Sequence, residues 1–163
     1  MRSFAFLLVT LAAFAQAPEE PSTPKDWLNR GVQLFKSAKY TEAASAFERA
    51  VQLDPGYIYG HLYLATAYFS QFKPGDESPA NQDVARRTES ALNSALAIDA
   101  RNIVALKTMA SLKFNETQGV KDAGRKLAGL DEAERWYQRI LEVDSRDKEA
   151  LYIEALKRYR DAG

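Results

Sequence analysis

The chain has 163 residues, of which 46% are hydrophobic and 27% charged, a balance that excludes a wholly disordered chain, collagen and a protein with several membrane spans. Its 22 basic and 22 acidic residues give a formal net charge of zero, so it lacks the basic excess with which nucleic-acid-binding proteins attract phosphate. With no cysteine and one histidine, disulfide scaffolds, cysteine-based zinc sites and cysteine nucleophiles are excluded.

The first predicted element is a targeting segment. Arg2 precedes the run FAFLLVTLAAFA over residues 4–15, which is too short for a membrane span of about 20 residues. The positive start, the short apolar run and the small residues Ala13 and Ala15 are typical of a secretory signal peptide over residues 1–15. Cleavage after Ala15 and cleavage after Ala17 both fit, and an uncleaved membrane anchor is the alternative. We therefore expect an exported protein, periplasmic or secreted, with a bacterial envelope favoured and no membrane span after cleavage.

A linker and a helix start follow the targeting segment. Residues 16–23, QAPEEPST, hold two prolines and little apolar surface, which predicts an extended Pro-rich linker. Thr23 is a typical helix N-cap, Pro24 suits the first helical position, and Asp26 lies at the positive end of the helix dipole. The folded domain is therefore expected over residues 24–163.

An internal repeat organises that domain. The segments AFERAVQLD, ALNSALAID and WYQRILEVD end in Asp54, Asp99 and Asp144, spaced by 45 residues each time. Their apolar residues recur at i, i+3 and i+4, the pattern of a helix with one buried face. Each is preceded by another predicted helix, over 24–37, about 57–71 and about 103–116. The unit is thus a pair of antiparallel helices, and since no segment alternates with period two, the predicted fold class is all-α.

The repeated residues resemble the tetratricopeptide repeat (TPR) family, whose pattern is W-x2-L-G-x2-Y, A-x3-F-x2-A and P. The structural positions that match are Trp27, Gly31, Ala43, Phe47, Ala50 and Pro55 in the first repeat, Ala65, Tyr68, Leu92 and Ala95 in the second, and Ala110, Ala133, Tyr137 and Ile140 in the third. Arg30 and Leu34 stand where the family has leucine and tyrosine. The resemblance implies a right-handed α-solenoid of three helix-turn-helix pairs, about 24–57, 58–102 and 103–147, with a capping helix over 147–161.

Two inserts depart from the 34-residue family repeat. The second and third repeats are 45 residues long, and the excess falls between the paired helices. Residues 72–82 contain Pro74-Gly75 and Ser78-Pro79, which exclude a helix interior there, and residues 116–129 contain three glycines. They either extend a contact surface along one edge or are neutral lengthening, including a longer helix pair.

No motif predicts catalysis, a cofactor or a metal. The segment GVKDAGRK, residues 119–126, lacks the lysine and the Ser/Thr of a phosphate-binding loop, and we predict a solvated loop. His61 falls at a helix-packing position with no second histidine or cysteine, which favours a structural role. Asp76, Glu77 and Asp83 lack the spacing of a calcium loop. We therefore expect a non-catalytic protein.

The resemblance implies that the first helices of the pairs line a concave groove that binds proteins. The predicted groove residues are mostly apolar or aromatic: Leu28, Val32, Phe35, Tyr59, Tyr63, Phe69, Lys107 and Phe114. TPR proteins that clamp the carboxylate tail of a chaperone carry basic residues and asparagine at groove positions. Here Leu28, Val32, Tyr63 and Val104 occupy four of them and only Lys107 fits, which argues against such a clamp.

Two interpretations of the groove stay open. Its aromatic residues can anchor an extended segment or a partner helix, or they can pack against the inserts, the linker or one another. The sequence therefore predicts an adaptor for a protein or peptide partner, not for nucleic acid. The alternative is a structural subunit that stacks with itself through its repeat ends in an envelope assembly. The oligomeric state is left open.

Overall fold

The computed structural model describes residues 20–161, so the predicted signal peptide and residues 16–19 of the linker lie outside the described residues. The described chain forms helices and no strands. In order these are α1 (Pro24–Lys36), α2 (Tyr40–Leu53), α3 (Ile58–Phe69), α4 (Pro79–Ile98), α5 (Ile103–Glu116), α6 (Ala123–Val143) and α7 (Lys148–Asp161). Among the described helices, none is both long and apolar enough to cross a membrane.

The start of α1 follows the capping prediction. The Thr23 hydroxyl oxygen accepts a hydrogen bond from the backbone N–H of Asp26 at 3.1 Å, and the Asp26 carboxylate accepts one from the backbone N–H of Thr23 at 3.2 Å. This reciprocal pair satisfies two N–H groups near the helix start that have no partner within the helix. The hydrogen bond with the Thr23 side chain also lowers the pKa of Asp26.

The repeated aspartates stop the second helix of each hairpin. Asp54, Asp99 and Asp144 are the C-cap residues of α2, α4 and α6. Each carboxylate accepts a hydrogen bond from the backbone N–H two residues later, at 2.9, 3.0 and 3.0 Å. This turn reverses the chain into the next helix, which explains why aspartate returns at a fixed interval.

The helices form two layers. The hairpins are α1–α2, α3–α4 and α5–α6, and α7 packs against α6. The first helices contact one another, α1 with α3 and α3 with α5, whereas α2, α4 and α6 make no such contacts among themselves. Since the first helices lie closer together, their layer forms the inner side of the array. We call the surface of α1, α3 and α5 on that side the inner groove.

Small residues allow the helices to cross closely. A Cβ atom added to Gly31 in α1 would overlap the Phe47 ring in α2, and Phe47 itself is fully buried. Ala43, Ala50, Ala65, Ala95 and Ala110 are fully buried, and Tyr68, Leu92, Ala133, Tyr137 and Ile140 are nearly so. Trp27 is half-buried beneath the guanidinium groups of Arg30 and Arg49, and Pro55 lies exposed in its turn.

The inserts are partly loops and partly extensions of helices, which fits the alternative of a longer helix pair. Ser78 caps α4 by accepting a hydrogen bond from the N–H of Asn81, and Asp122 caps α6 in the same way through Arg125. Residues 79–82 and 123–129 are therefore helical, and α4 and α6 reach 20 and 21 residues against 14 in α2. Proline is favoured in a first turn, and tertiary packing tolerates a helical glycine that costs about 1 kcal/mol. The predicted solvated loop over 119–126 is wrong from residue 123 onward.

Candidate functional site

Two of the predicted groove residues, both on α3, have exposed aromatic side chains. Tyr59 is 58% exposed and Tyr63 is 40% exposed, one helical turn apart. The Tyr63 ring lies 5.5 Å from the buried Phe47 ring, and the Tyr59 ring lies 6.0 Å from that of Tyr57. Each ring is thus supported by a neighbouring ring and still faces solvent.

The other predicted groove residues are less available. Leu28, Val32, Phe35 and Phe69 are half-buried and pack against the core. The rings of Phe35 and Tyr40 are 5.1 Å apart, and those of Phe69 and Phe72 are 6.3 Å apart. Phe35 and Phe69 therefore pack against other aromatic rings of the chain, as the second interpretation of the groove expects.

Lys107 is engaged within the chain. Its ammonium group forms an ion pair with the carboxylate of Asp147, in the turn between α6 and α7. This contact lowers the pKa of Asp147 and raises that of Lys107. Asp147 also accepts a hydrogen bond from the backbone N–H of Ala150 at 3.0 Å. Lys107, which fits a carboxylate clamp by position, therefore attaches α7 to α5.

Phe114 faces a cleft at the end of the array. The cleft has a volume of about 170 Å³ and is lined mainly by apolar side chains of α5, α6 and α7, among them Leu130, Tyr137, Ile153 and Leu156. The backbone of α7 packs closely against that of α6 and lies farther from that of α5. The cleft is the gap between these two helices, and α6 forms its floor.

The sequence reading missed the exposed side chains of α7. Tyr152, Leu156 and Tyr159 are 63%, 47% and 83% exposed. They lie 45 residues after Lys107, Ser111 and Phe114. Extending the groove positions of the third repeat by one more repeat interval would therefore have identified these three residues. Lys157 of the same helix is half-buried, and its ammonium group pairs with the carboxylate of Glu134 at 3.2 Å.

The two insert loops meet on one edge of the molecule. Gly75 and Gly119 have φ values of +82° and +78°, and a Cβ atom added to Gly119 would lie 2.8 Å from the Cα of Gly75. The Asn81 side chain holds the first loop by bonding Lys73 and the Asp76 carbonyl. The loops therefore pack against each other through two glycines whose backbone conformation other residues rarely adopt.

Lys113 and the carboxylates around it form an ion cluster outside the groove. Lys113 is buried, and its ammonium group lies 2.8 Å from the carboxylate of Glu89 and 3.4 Å from those of Glu116 and Glu132, so it joins α4, α5 and α6. Burial raises the pKa of Glu116. His61 Nε2 lies 2.8 Å from the carbonyl oxygen of Pro55. The described residues contain no cluster of three or more side chains suited to holding a metal ion.

Comparison with known proteins supports the repeat assignment. The family model for the tetratricopeptide repeat matches residues 24–57. Three solved structures share the fold: the first TPR of Spaghetti (RPAP3) bound to the HSP90 peptide SRMEEVD, the Arabidopsis OM64 TPR domain, and TTC0263, a TPR protein of Thermus thermophilus. No curated protein matches the sequence.

The three structures resemble this chain in fold at low sequence identity. The RPAP3 domain is 23% identical with a TM-score of 0.59, and the match covers 86% of this chain and 94% of that one. The OM64 domain is 16% identical with a TM-score of 0.61, and the match covers 86% of this chain and 97% of that one. TTC0263 is 18% identical with a TM-score of 0.64, and the match covers 86% of this chain and 69% of that one. The predicted fold class, an all-α right-handed solenoid of helical hairpins, is confirmed.

Proposed function

We propose that this chain, which has the fold of a tetratricopeptide-repeat solenoid, is a non-catalytic interaction module that binds a peptide or partner protein in its inner groove. The RPAP3 domain of the same fold is bound to a peptide, which supports this class of ligand. The residues in our proposal are Tyr59 and Tyr63, with the half-buried Leu28, Val32, Phe35 and Phe69 forming the apolar floor around them.

The exposed pair of tyrosines is the observation that carries the proposal. Tyrosine buries a large area on binding and loses little conformational freedom, because it has only two side-chain torsions. Tyr63 is also held against Phe47, so part of its ordering cost is met in the free protein. Two such rings one turn apart form an anchor site for apolar side chains of a partner.

The ligand we propose is apolar and not an acidic tail. The peptide bound to the RPAP3 domain, SRMEEVD, ends in acidic residues. In this chain Lys107 is paired with Asp147, and the groove positions at Leu28, Val32 and Tyr63 carry no charge. An acidic tail would lose its hydration here without gaining a charge partner, whereas apolar side chains would bury against the tyrosines.

The test uses peptides that are selected for binding to the chain from Gln16 onward, and their affinities are measured by calorimetry. We expect Tyr59→Ala and Tyr63→Ala to weaken binding at least about tenfold, as truncated anchor residues do. Leu53→Ala, at a 51% exposed position on α2, is the matched control and should bind normally. Tyr59→Ala should leave thermal unfolding nearly unchanged, while Tyr63→Ala should lower stability slightly through the lost ring contact with Phe47. If both tyrosine variants bind as the wild type does, the groove proposal is wrong.

Export is a separate part of the proposal and rests on the apolar run of residues 4–15 behind Arg2. In a bacterial host that expresses the full chain, we expect periplasmic protein whose N-terminus, read by mass spectrometry, begins at Gln16 or Pro18. Recovery of the intact N-terminus from the membrane fraction would establish the uncleaved anchor and contradict the proposal.

A further inference from the structure

Helix α7 carries an exposed stripe of four uncharged residues. Tyr152, Ala155, Leu156 and Tyr159 are all exposed, and Tyr159 is 83% exposed. At 3.6 residues per turn the four side chains lie within about 100° of the helix circumference. We call this surface the α7 stripe.

The repeat register shows what kind of element packs against the position of Ala155. Ala155 follows Gly31, Ala65 and Ala110 at the repeat interval, and those three small residues are buried in the preceding first helices. At Gly31 the neighbour is the second, antiparallel helix of the same hairpin, which contributes Phe47. No helix in the described part of the chain takes that place on α7. At Ala155 the matching occupant is therefore an antiparallel helix, whereas Tyr152, Leu156 and Tyr159 follow the groove positions Leu28, Val32 and Phe35 at the repeat interval.

The α7 stripe is complementary to itself. Around the midpoint between Ala155 and Leu156, its pattern Y-x2-A-L-x2-Y reads the same in both directions for the aromatic and the aliphatic positions. If two copies of α7 meet antiparallel about that midpoint, each Tyr152 lies opposite Tyr159 of the second copy, and each Ala155 lies opposite Leu156. No charged side chain belongs to the stripe, so no like charges meet along this seam.

We propose that a second copy of this chain covers the α7 stripe, forming a two-fold dimer through antiparallel packing of the two α7 helices. A two-fold contact uses the same surface on both copies and closes, unlike a head-to-tail contact, which grows into a filament. The exposed parts of two tyrosines and one leucine per copy make a small apolar contact, of the size of weak and transient interfaces. We expect a dissociation constant in about the micromolar range. The proposal does not depend on the proposed function, because it uses none of the α3 tyrosines.

Analytical ultracentrifugation of the chain from Gln16 onward tests the dimer. The wild type should pass from monomer to dimer as its concentration rises. The double variant Tyr152→Ser/Tyr159→Ser should weaken the dimer about tenfold or more through the loss of two aromatic pairs. Tyr59→Ser, at a 58% exposed tyrosine of α3, is the matched control and should dimerise normally. A wild type that stays monomeric, or that forms an open series of larger species, overturns the proposal, as does a double variant that dimerises like the wild type.

Cross-linking tests the antiparallel register. Because the chain has no cysteine, Tyr152→Cys and Tyr159→Cys each introduce a single thiol. Mixed and oxidised, the two variants should cross-link to each other much more than either does to itself. The antiparallel register places each residue beside its counterpart of the other type and about 10 Å along the axis from its own equivalent, beyond disulfide reach. Preferential cross-linking of either variant with itself would overturn the proposal.

Discussion

Single small residues set the distance between helices in this chain. Gly31 lets α1 lie directly on the Phe47 ring, which is fully buried. Alanines take the same position in the later repeats, at Ala65 and Ala110, and both are fully buried. Protein interiors are packed as densely as organic crystals, so an added methyl group at such a point has nowhere to go without moving a neighbour.

Gly31→Ala should therefore destabilise the protein. Overpacking costs about 1–3 kcal/mol, partly offset by a gain of up to about 1 kcal/mol in helix propensity. Gly124→Ala, in the first turn of α6, meets no atom closer than 3.5 Å and serves as the helical control. Denaturant unfolding should show a loss for Gly31→Ala and a neutral or stabilising effect for Gly124→Ala. Equal effects of the two substitutions would refute the packing explanation.

The residue pattern predicted packing positions better than charge partners. Ala43, Phe47, Leu92 and Tyr137 could be placed because apolar spacing reports burial directly. The ion cluster around Lys113 could not be, since its carboxylates come from three helices. Nothing in the local spacing of Lys113 distinguishes it from a solvated lysine.

At the scale of elements, α7 is held by fewer attachments than the other helices. Its N-terminus is fixed by Asp147, which caps the helix and pairs with Lys107 of α5. The Tyr137 hydroxyl of α6 donates a hydrogen bond to the Glu149 carboxylate at 3.0 Å. Burial, together with this bond, raises the pKa of Tyr137. Helix α7 thus depends on polar contacts at its start and on packing against α6.

Substitution of Asp147 should loosen α7. Asp147→Ala loses both the cap and the ion pair, and the cap alone is worth about 0.5–2 kcal/mol. Asp147→Asn keeps a capping side chain and loses only the charge, so its effect should be smaller, at most about 1 kcal/mol. Amide hydrogen exchange of α7 should rise more in Asp147→Ala than in Asp147→Asn. Identical exchange in the two variants would show that the cap contributes nothing.

The ion pair of Asp147 with Lys107 also gives a pH dependence of stability. Because Lys107 lowers the pKa of Asp147 in the folded state, the unfolded state binds the proton more readily. The stabilisation is therefore present above the ordinary aspartate pKa of about 4 and is lost as the pH falls through the lower folded value. The difference in unfolding free energy between wild type and Asp147→Asn should shrink on acidification and stay constant above about pH 5.

At the scale of the molecule, each hairpin depends on its neighbours to bury its apolar surface. Hairpins in a solenoid contact only adjacent repeats, and about three are needed for a stable core. Here the second hairpin contacts both others, through α2–α3 and α4–α5, and Leu92 in it is almost completely buried. Damage to the middle of the array should therefore spread further than damage at its end.

Leu92→Ala should destabilise the whole array. Truncation of a buried leucine costs about 2–5 kcal/mol, and the loss should lower hydrogen-exchange protection in all three hairpins. Ile153→Ala, at a half-buried position that α7 packs against the core, should affect mainly α6 and α7. If Leu92→Ala lowered protection only in α3 and α4, the hairpins would be independent units.

The order of the helices, their buried faces and the aspartate turns could be predicted from the sequence, because apolar spacing and capping act over a few residues. The N-terminal extensions of α4 and α6 could not be predicted with certainty from the sequence. Pro79, Gly124 and Gly129 favour turns locally and become helical through capping and packing. Availability in the groove also depended on tertiary structure: Tyr59 and Tyr63 face solvent, Phe35 and Phe69 pack inward, and Lys107 is paired with Asp147. Exposure depends on neighbours far away in the chain, and those neighbours meet only once the hairpins have stacked.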